Sequence, residues 1–239
     1  MALCLALGAA VLLLASGQGV RFDAWSYRLG LGLMLASKWP AWLAAALALI
    51  GLLLRPVRAH RAAVLATALA VALAVSWVPF EFGRRARSVP HIHDITTDVV
   101  DPPQFVALLA ARNASPNGAA YGGREIADQQ RAAYPDIVPL VSPLAPEAAF
   151  AGVREAAQAL EWDITAADPA AGRLEAVATT FWFGFKDDVV VRVVPWATGS
   201  RIDVRSVSRV GRSDLGTNAE RIRAFLARVK SHWSASVVG

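Results

Sequence analysis

The sequence predicts an α+β domain carried behind three N-terminal transmembrane helices, and three observations lead there. Apolar runs of spanning quality fill roughly the first 80 of the 239 residues. A helical period over 146–161 gives way to a period of two from Trp162 onward, carried through four short runs. A last amphipathic helix then closes the chain. The order helix, four-stranded antiparallel meander, helix describes a two-layer domain, and the lack of alternating strands and helices argues against a parallel sheet.

Membrane spans are expected at about 2–19, 39–54 and 62–80, within a membrane domain over 1–82. The first has no charge and is rich in Leu and Ala; a cleaved signal peptide is the alternative, but the basic n-region and Ala-x-Ala site are missing. Between the first two spans, Phe22, Trp25, Tyr27 and Arg28 are the amphipathic types that sit at headgroup level, so 21–37 reads as an interfacial helix. A single tilted helix from 29 to 54 would instead carry Lys38 inside it, at a cost unless that side chain snorkels beside Trp39 and Trp42. The connection from Arg55 to Arg61 is short enough only for a tight turn at one membrane face, and three spans put the termini on opposite sides.

Charge is distributed unevenly. Residues 1–83 hold six Lys/Arg and two acids, whereas 84–239 hold 18 and 17, so the net +5 divides into +4 and +1. Arg84, Arg85 and Arg87, in a basic linker over 83–89, supply more than the second share. The basic character is a membrane-flank signature and excludes a nucleic-acid groove as the expected function. Orientation is left open: counting Lys and Arg favours a cytoplasmic C-terminal domain, whereas the basic 55–61 turn is the densest loop between clear spans.

The soluble domain is expected over 90–239. Prolines at 90, 102 and 103 make an extended entry, with short helices at 104–112 and 124–133 around a Gly/Asn/Ser/Pro loop. Strands are expected at 162–167, 173–183, 188–195 and 201–208. In the last strand, Ile202, Val204 and Ser206 alternate against Asp203, Arg205 and Val207, predicting one buried and one polar face. Thr217-Asn218-Ala219-Glu220 is a capping-box pattern opening the final helix.

Candidate chemistry is sparse. The single cysteine, Cys4, lies in the first apolar run, which excludes an internal disulfide and a cysteine nucleophile in the domain. His91 and His93, two apart on an extended segment, project to one side and could share a metal, with Asp94 and Asp98 nearby; a metal-assisted enzyme is the alternative functional reading. No serine elbow, P-loop or dinucleotide fingerprint is present. Asp187-Asp188 cannot act as a dyad, because adjacent strand residues face opposite ways, and reads as a hairpin turn. The segment from Arg205 to Asn218 runs from a strand end into a helix N-terminus, where Arg205, Arg209, Arg212, Ser213 and Asn218 could receive a phosphate or carboxylate. The competing reading is that Ser213, Asp214 and Thr217 cap the helix while the arginines pair with nearby carboxylates. Phe181, Trp182, Phe183, Phe185 and Trp196 gather around the middle hairpin, as core, as a ligand groove, or as a membrane- or partner-facing patch.

Several motifs fall in a familiar order. They are Pro90-His91-Ile92-His93-Asp94-Ile95-Thr96-Thr97-Asp98, Asp101-Pro102-Pro103, Ala133-Tyr134-Pro135-Asp136-Ile137, Phe183-Gly184-Phe185-Lys186-Asp187-Asp188-Val189, and Val204-Arg205-Ser206 through Asn218-Ala219-Glu220-Arg221-Ile222-Arg223. Over about 90–232 the chain resembles the domain of unknown function 1499 family, and its front region resembles the membrane-anchored bacterial members. The resemblance carries no settled activity, so it transfers no catalytic residue and implies no cofactor. Other members look like secreted or lipoprotein-like envelope proteins, which implies an inner-membrane protein with a periplasmic domain, against the charge count. The expected partners are the lipid bilayer and an envelope protein or small anionic ligand.

Overall fold

The computed structural model describes residues 1–54 and 58–238, with side chains through Trp233. The chain divides into two units: 1–87 together with Thr180–Gly184, and 88–179 together with 185–239.

The first unit is helical. Helix α1 (Ala2–Arg21) is followed by α2 (Tyr27–Ala36), α3 (Lys38–Leu53) and α4 (Ala59–Ser88). Three stretches, Ala2–Arg21, Tyr27–Leu53 and Ala59–Ser88, are long and apolar enough to cross a membrane. Turning from α1 to α2 depends on Gly19: its carbonyl accepts the N–H groups of Ala24 and Trp25, and a Cβ there would fall 2.1 Å from the Trp25 ring. The turn therefore consumes residues 22–26, and the helix expected over 21–37 begins only at Tyr27, where Ser26 caps it. Helix α2 abuts α3 at Ser37, whose own dihedrals are helical (φ −57°, ψ −25°). Lys38 lies at this junction with Nζ 5.1 Å from the Trp39 ring centre and 5.8 Å from that of Trp42. The basic stretch expected as a linker over 83–89 is instead the last turns of α4, where Glu81 pairs with Arg84 and Arg85 three and four residues on. The expected 55–61 turn falls partly outside the described residues, at 55–57.

The second unit contains β1 (Asp94–Thr96), α5 (Leu109–Asn113), α6 (Gly123–Ala133), β2 (Leu140–Ser142), α7 (Pro146–Ala159), β3 (Asp163–Asp168), β4 (Arg173–Thr179), β5 (Lys186–Trp196), β6 (Gly199–Ser208) and α8 (Thr217–Val238). The four expected strands form the antiparallel meander β3-β4-β5-β6, although the second, expected over 173–183, ends at Thr179. Strand β1, inside the expected extended entry, and β2, missed in the sequence, both pair with the outer side of β6. One face of the sheet carries Leu174, Ala176, Val189, Val191, Ile202 and Val204 against Phe150 and Val153 of α7 and Ile222, Phe225 and Val229 of α8. Trp162 stacks on Phe225 with ring centres 5.0 Å apart.

The opposite face corrects a sequence expectation. Asp203, Arg205 and Val207 were expected on a polar outer face, yet all three are buried. The irregular segment 97–121 covers them, with Phe105 and Leu108 packed on Val177, Val190 and Val207. Only Leu109–Asn113 of that segment is helical, whereas a helix was expected over 104–112. The reason is a tertiary contact: the Glu175 carboxylate binds the N–H groups of Val106 (2.8 Å), Ala107 (3.0 Å) and Leu108 (2.8 Å), holding the chain in a turn before α5.

Candidate functional site

Strand alternation builds the site. With Val207 opposite both Asp94 and Asp188, and Arg205 opposite Thr96 and Val190, the same sheet face presents Asp94, Glu175, Asp188, Arg192, Asp203, Arg205 and Arg209. Several of these side chains are fully buried. Unpaired charges there would be prohibitive, and each finds a partner.

Arg205 is the most enclosed. Its Nε and Nη2 donate to the two Asp94 oxygens at 3.0 and 2.8 Å, and the remaining N–H groups reach the carbonyls of Pro103 (3.3 Å) and Ala119 (3.0 Å). The guanidinium carbon lies over the faces of Phe105 and Tyr121, 5.4 and 5.5 Å from their ring centres. Burial, with the Asp94 charge, pushes the Tyr121 phenol up to about 12. Further along the face, one carboxylate serves two arginines: Asp188 accepts from buried Arg112 (3.3 Å) and bidentately from Arg209 (2.7–3.1 Å). Arg112 also donates to the carbonyls of Val207 and Gly118, and desolvation holds it below the ordinary arginine value. At the other end, Arg192 and Arg201 bind Asp98 and Asp203 jointly.

Asp187 and Asp188 do face opposite ways, as alternation requires. They lie within β5 and not in a hairpin turn, and Asp187 pairs with Arg221 of α8 at 2.6 Å. Asn218, in the first turn of α8, is buried against β6: its Nδ2 donates to the His93 carbonyl and Ser208 Oγ (both 3.1 Å), and its Oδ1 accepts from Ser206 Oγ and Arg221. Ser213 Oγ accepts from Leu215 N and donates to the Pro90 carbonyl. The capping box expected on Thr217 is displaced: Asp214 takes that part, accepting the N–H groups of Gly216 (2.9 Å) and Asn218 (2.8 Å). Of the five anion-site candidates, the structure thus gives Arg205, Ser213 and Asn218 internal partners, leaves Arg209 partly exposed on Asp188, and leaves Arg212 exposed. The residues missed in sequence are Arg112, Glu175 and Asn117. Asn117 ties the cover segment to the carbonyls of Ser208 and Gly211 at 2.9 Å each. Nothing in local sequence marks them, because the contacts that tie the cover segment to the sheet join residues 67 to 95 positions apart.

His91 is exposed and His93 half-buried. Among the described residues, no three His, Cys, Asp or Glu side chains gather where they could hold a metal ion. The aromatic residues of the middle hairpin separate: Trp196 lies under Arg201 at 5.5 Å in the second unit, while Phe181, Trp182 and Phe183 belong to the helical unit.

These features define a class: an α+β domain with a sheet covered on both faces, one of them by an ion-paired layer, in a chain that also has three helices of membrane-spanning length. The family model described as "Protein of unknown function (DUF1499)" matches residues 94–229, and the chain belongs to that family. No curated protein matches the chain.

Proposed function

We propose that this is an inner-membrane protein whose α+β domain faces the extracytoplasmic side and binds an envelope protein or a small anionic ligand. The binding surface is the end of β6 and the bend after it, from Arg209 to Ser213. One observation carries the reading: two guanidiniums, Arg112 and Arg209, share the single Asp188 carboxylate, so this end of the ionic layer keeps an excess positive charge. Arg209 and Arg212 bring that excess toward solvent. In this reading Arg205, Ser213 and Asn218 hold the bend in shape from behind. The extracytoplasmic orientation rests on the envelope character of the family members the chain resembles, and runs against the count of flanking Lys and Arg.

Two measurements test it. Alkaline phosphatase fused after Gly239 is expected to be active; an inactive fusion, with activity from a cytoplasmic reporter at the same position, overturns the orientation. For binding, the full chain in zwitterionic detergent is titrated with inorganic phosphate and with short-chain phosphatidylglycerol, reading thermal stability. Stabilisation by either anion that is lost in R209Q/R212Q supports the anionic ligand. If the double variant responds as the parent does, the surface is not the site. If neither anion has an effect, the small-anion reading is wrong.

A further inference from the structure

The loop Thr180–Gly184, between β4 and β5, belongs to the helical unit and not to the sheet domain that flanks it in sequence. Its attachment is specific. Arg21, in the last turn of α1, donates through Nη1 to the carbonyls of Thr180 (3.2 Å) and Phe181 (2.6 Å). One turn earlier, Gly17 leaves the helix backbone bare, and the Trp182 indole occupies that space so closely that a Cβ on Gly17 would fall 2.0 Å from Cδ1. The indole Nε1 is buried with no hydrogen-bond partner among the described residues, so shape holds it there. Phe183 approaches Gly30 of α2, where a Cβ would lie 3.4 Å from its ring. Gly184, at φ +67°, turns the chain away beside Arg21.

These contacts leave Phe181 pointing outward. It is 90 % exposed, more than any other large apolar side chain among the described residues. Its depth follows from α1. Twenty helical residues rise about 30 Å, the thickness of the hydrocarbon core, so Arg21 and Phe22 fall at the boundary between acyl chains and headgroups. The same end of the unit displays Phe22 (74 % exposed), Trp25, Tyr27 and Arg28, the residue types that populate that boundary. A loop clamped to Arg21 shares that depth.

We propose that Thr180–Gly184 is a second attachment to the bilayer, remote in sequence from the spans, with Phe181 inserted into the lipid boundary beside Phe22. The partner is the lipid surface itself, and the assignment is independent of which side of the membrane the α+β domain faces.

The test uses the full chain with Cys4→Ser, a nitroxide on Phe181→Cys, and reconstitution in phosphatidylcholine–phosphatidylglycerol vesicles. Relaxation by oxygen is expected to exceed relaxation by a water-soluble nickel chelate, as at Phe22→Cys. A chelate-dominated profile like that of Arg124→Cys, whose native side chain is 93 % exposed, overturns the proposal. A label-free measurement guards against disturbance by the probe. Hydrogen exchange across 180–184 in the same vesicles is expected to rise at least tenfold in Phe181→Asp, and unchanged exchange also overturns the proposal.

Discussion

Arg205 of β6 and Asp94 of β1 form a bidentate pair inside the domain, with both nitrogen–oxygen distances at or below 3.0 Å and the arginine wholly removed from solvent. A buried pair of this kind contributes little against an apolar substitute, but breaking it strands a charge. Arg205→Met alone is therefore expected to destabilise the domain by about 3–5 kcal/mol, and Asp94→Leu alone by a similar amount. The double variant should recover most of that loss, because it leaves no unpaired ion. Denaturant unfolding of the four proteins in one detergent gives the coupling; strictly additive losses would mean the pair is not the unit that matters.

Glu175 makes the second prediction. Its carboxylate is fully buried and holds three consecutive amides, Val106 to Leu108, while Arg173 Nε lies 3.4 Å away. Hydrogen bonds to a charged group contribute about 1.5–3 kcal/mol each, so Glu175→Ala should expose the cover segment as well as destabilise the domain. Hydrogen exchange over 97–121 should accelerate well before exchange in β5. Uniform acceleration would show that cover and sheet open together.

How much of this was legible beforehand divides along physical lines. The four meander strands, α6, α7 and α8 were readable because each carries its own period, as in Phe150 and Val153 or Ile222 and Phe225. Strand β1 was readable only as part of an extended entry and β2 not at all, since three residues display no period and pair only because β6 offers an edge. The buried ionic face looked solvent-facing for a related reason. Alternation in β6 separates apolar from charged residues, but it does not reveal that a loop about 100 residues earlier lies over the charged side. Local charge points to the anion-site candidates, whereas the partners of Arg205 and Asn218 are set by tertiary pairing with Asp94 and the His93 carbonyl.

Acid stability follows from Asp98. Burial works to raise its pKa, but the N–H groups of Asp101 and Val100 and the Arg201 guanidinium outweigh it and hold the carboxyl below its ordinary value. A carboxyl lowered in the folded state stabilises fully above its unfolded value, and that contribution disappears as the pH falls through the folded one. Asp98→Asn is therefore expected to lower Tm at pH 7 and to make the fall in Tm below about pH 4 shallower than in the parent. Parallel Tm–pH curves would remove Asp98 as a source of the acid sensitivity.

Helix α8 gives a smaller effect with a local signature. Asp214 accepts the N–H groups of Gly216 and Asn218, so Asp214→Ala should cost about 0.5–2 kcal/mol, the range for losing a helix cap. Asp214→Asn keeps an acceptor and should lose less. Exchange of the first-turn amides, from Gly216 to Glu220, separates this from a general loss of stability. Fraying confined to that turn is expected.

The helical unit offers a matched pair of glycines on one helix. A Cβ on Gly17 would collide with the Trp182 indole, whereas Gly8 has nothing within 4 Å. Both sit inside α1, where alanine is favoured over glycine by about 1 kcal/mol when nothing else intervenes. Gly8→Ala should accordingly be neutral or mildly stabilising. Gly17→Ala must push Trp182 outward and pull the loop carbonyls from Arg21, since the ring cannot retreat through the helix backbone. Protease cleavage within 180–184 reads this directly: it should appear in Gly17→Ala, stay absent in Gly8→Ala, and appear also in Arg21→Ala, which removes the clamp without touching the slot. If Gly17→Ala resists cleavage as well as the parent does, the indole is not held by the bare backbone at Gly17, and the loop owes its position to Arg21 alone.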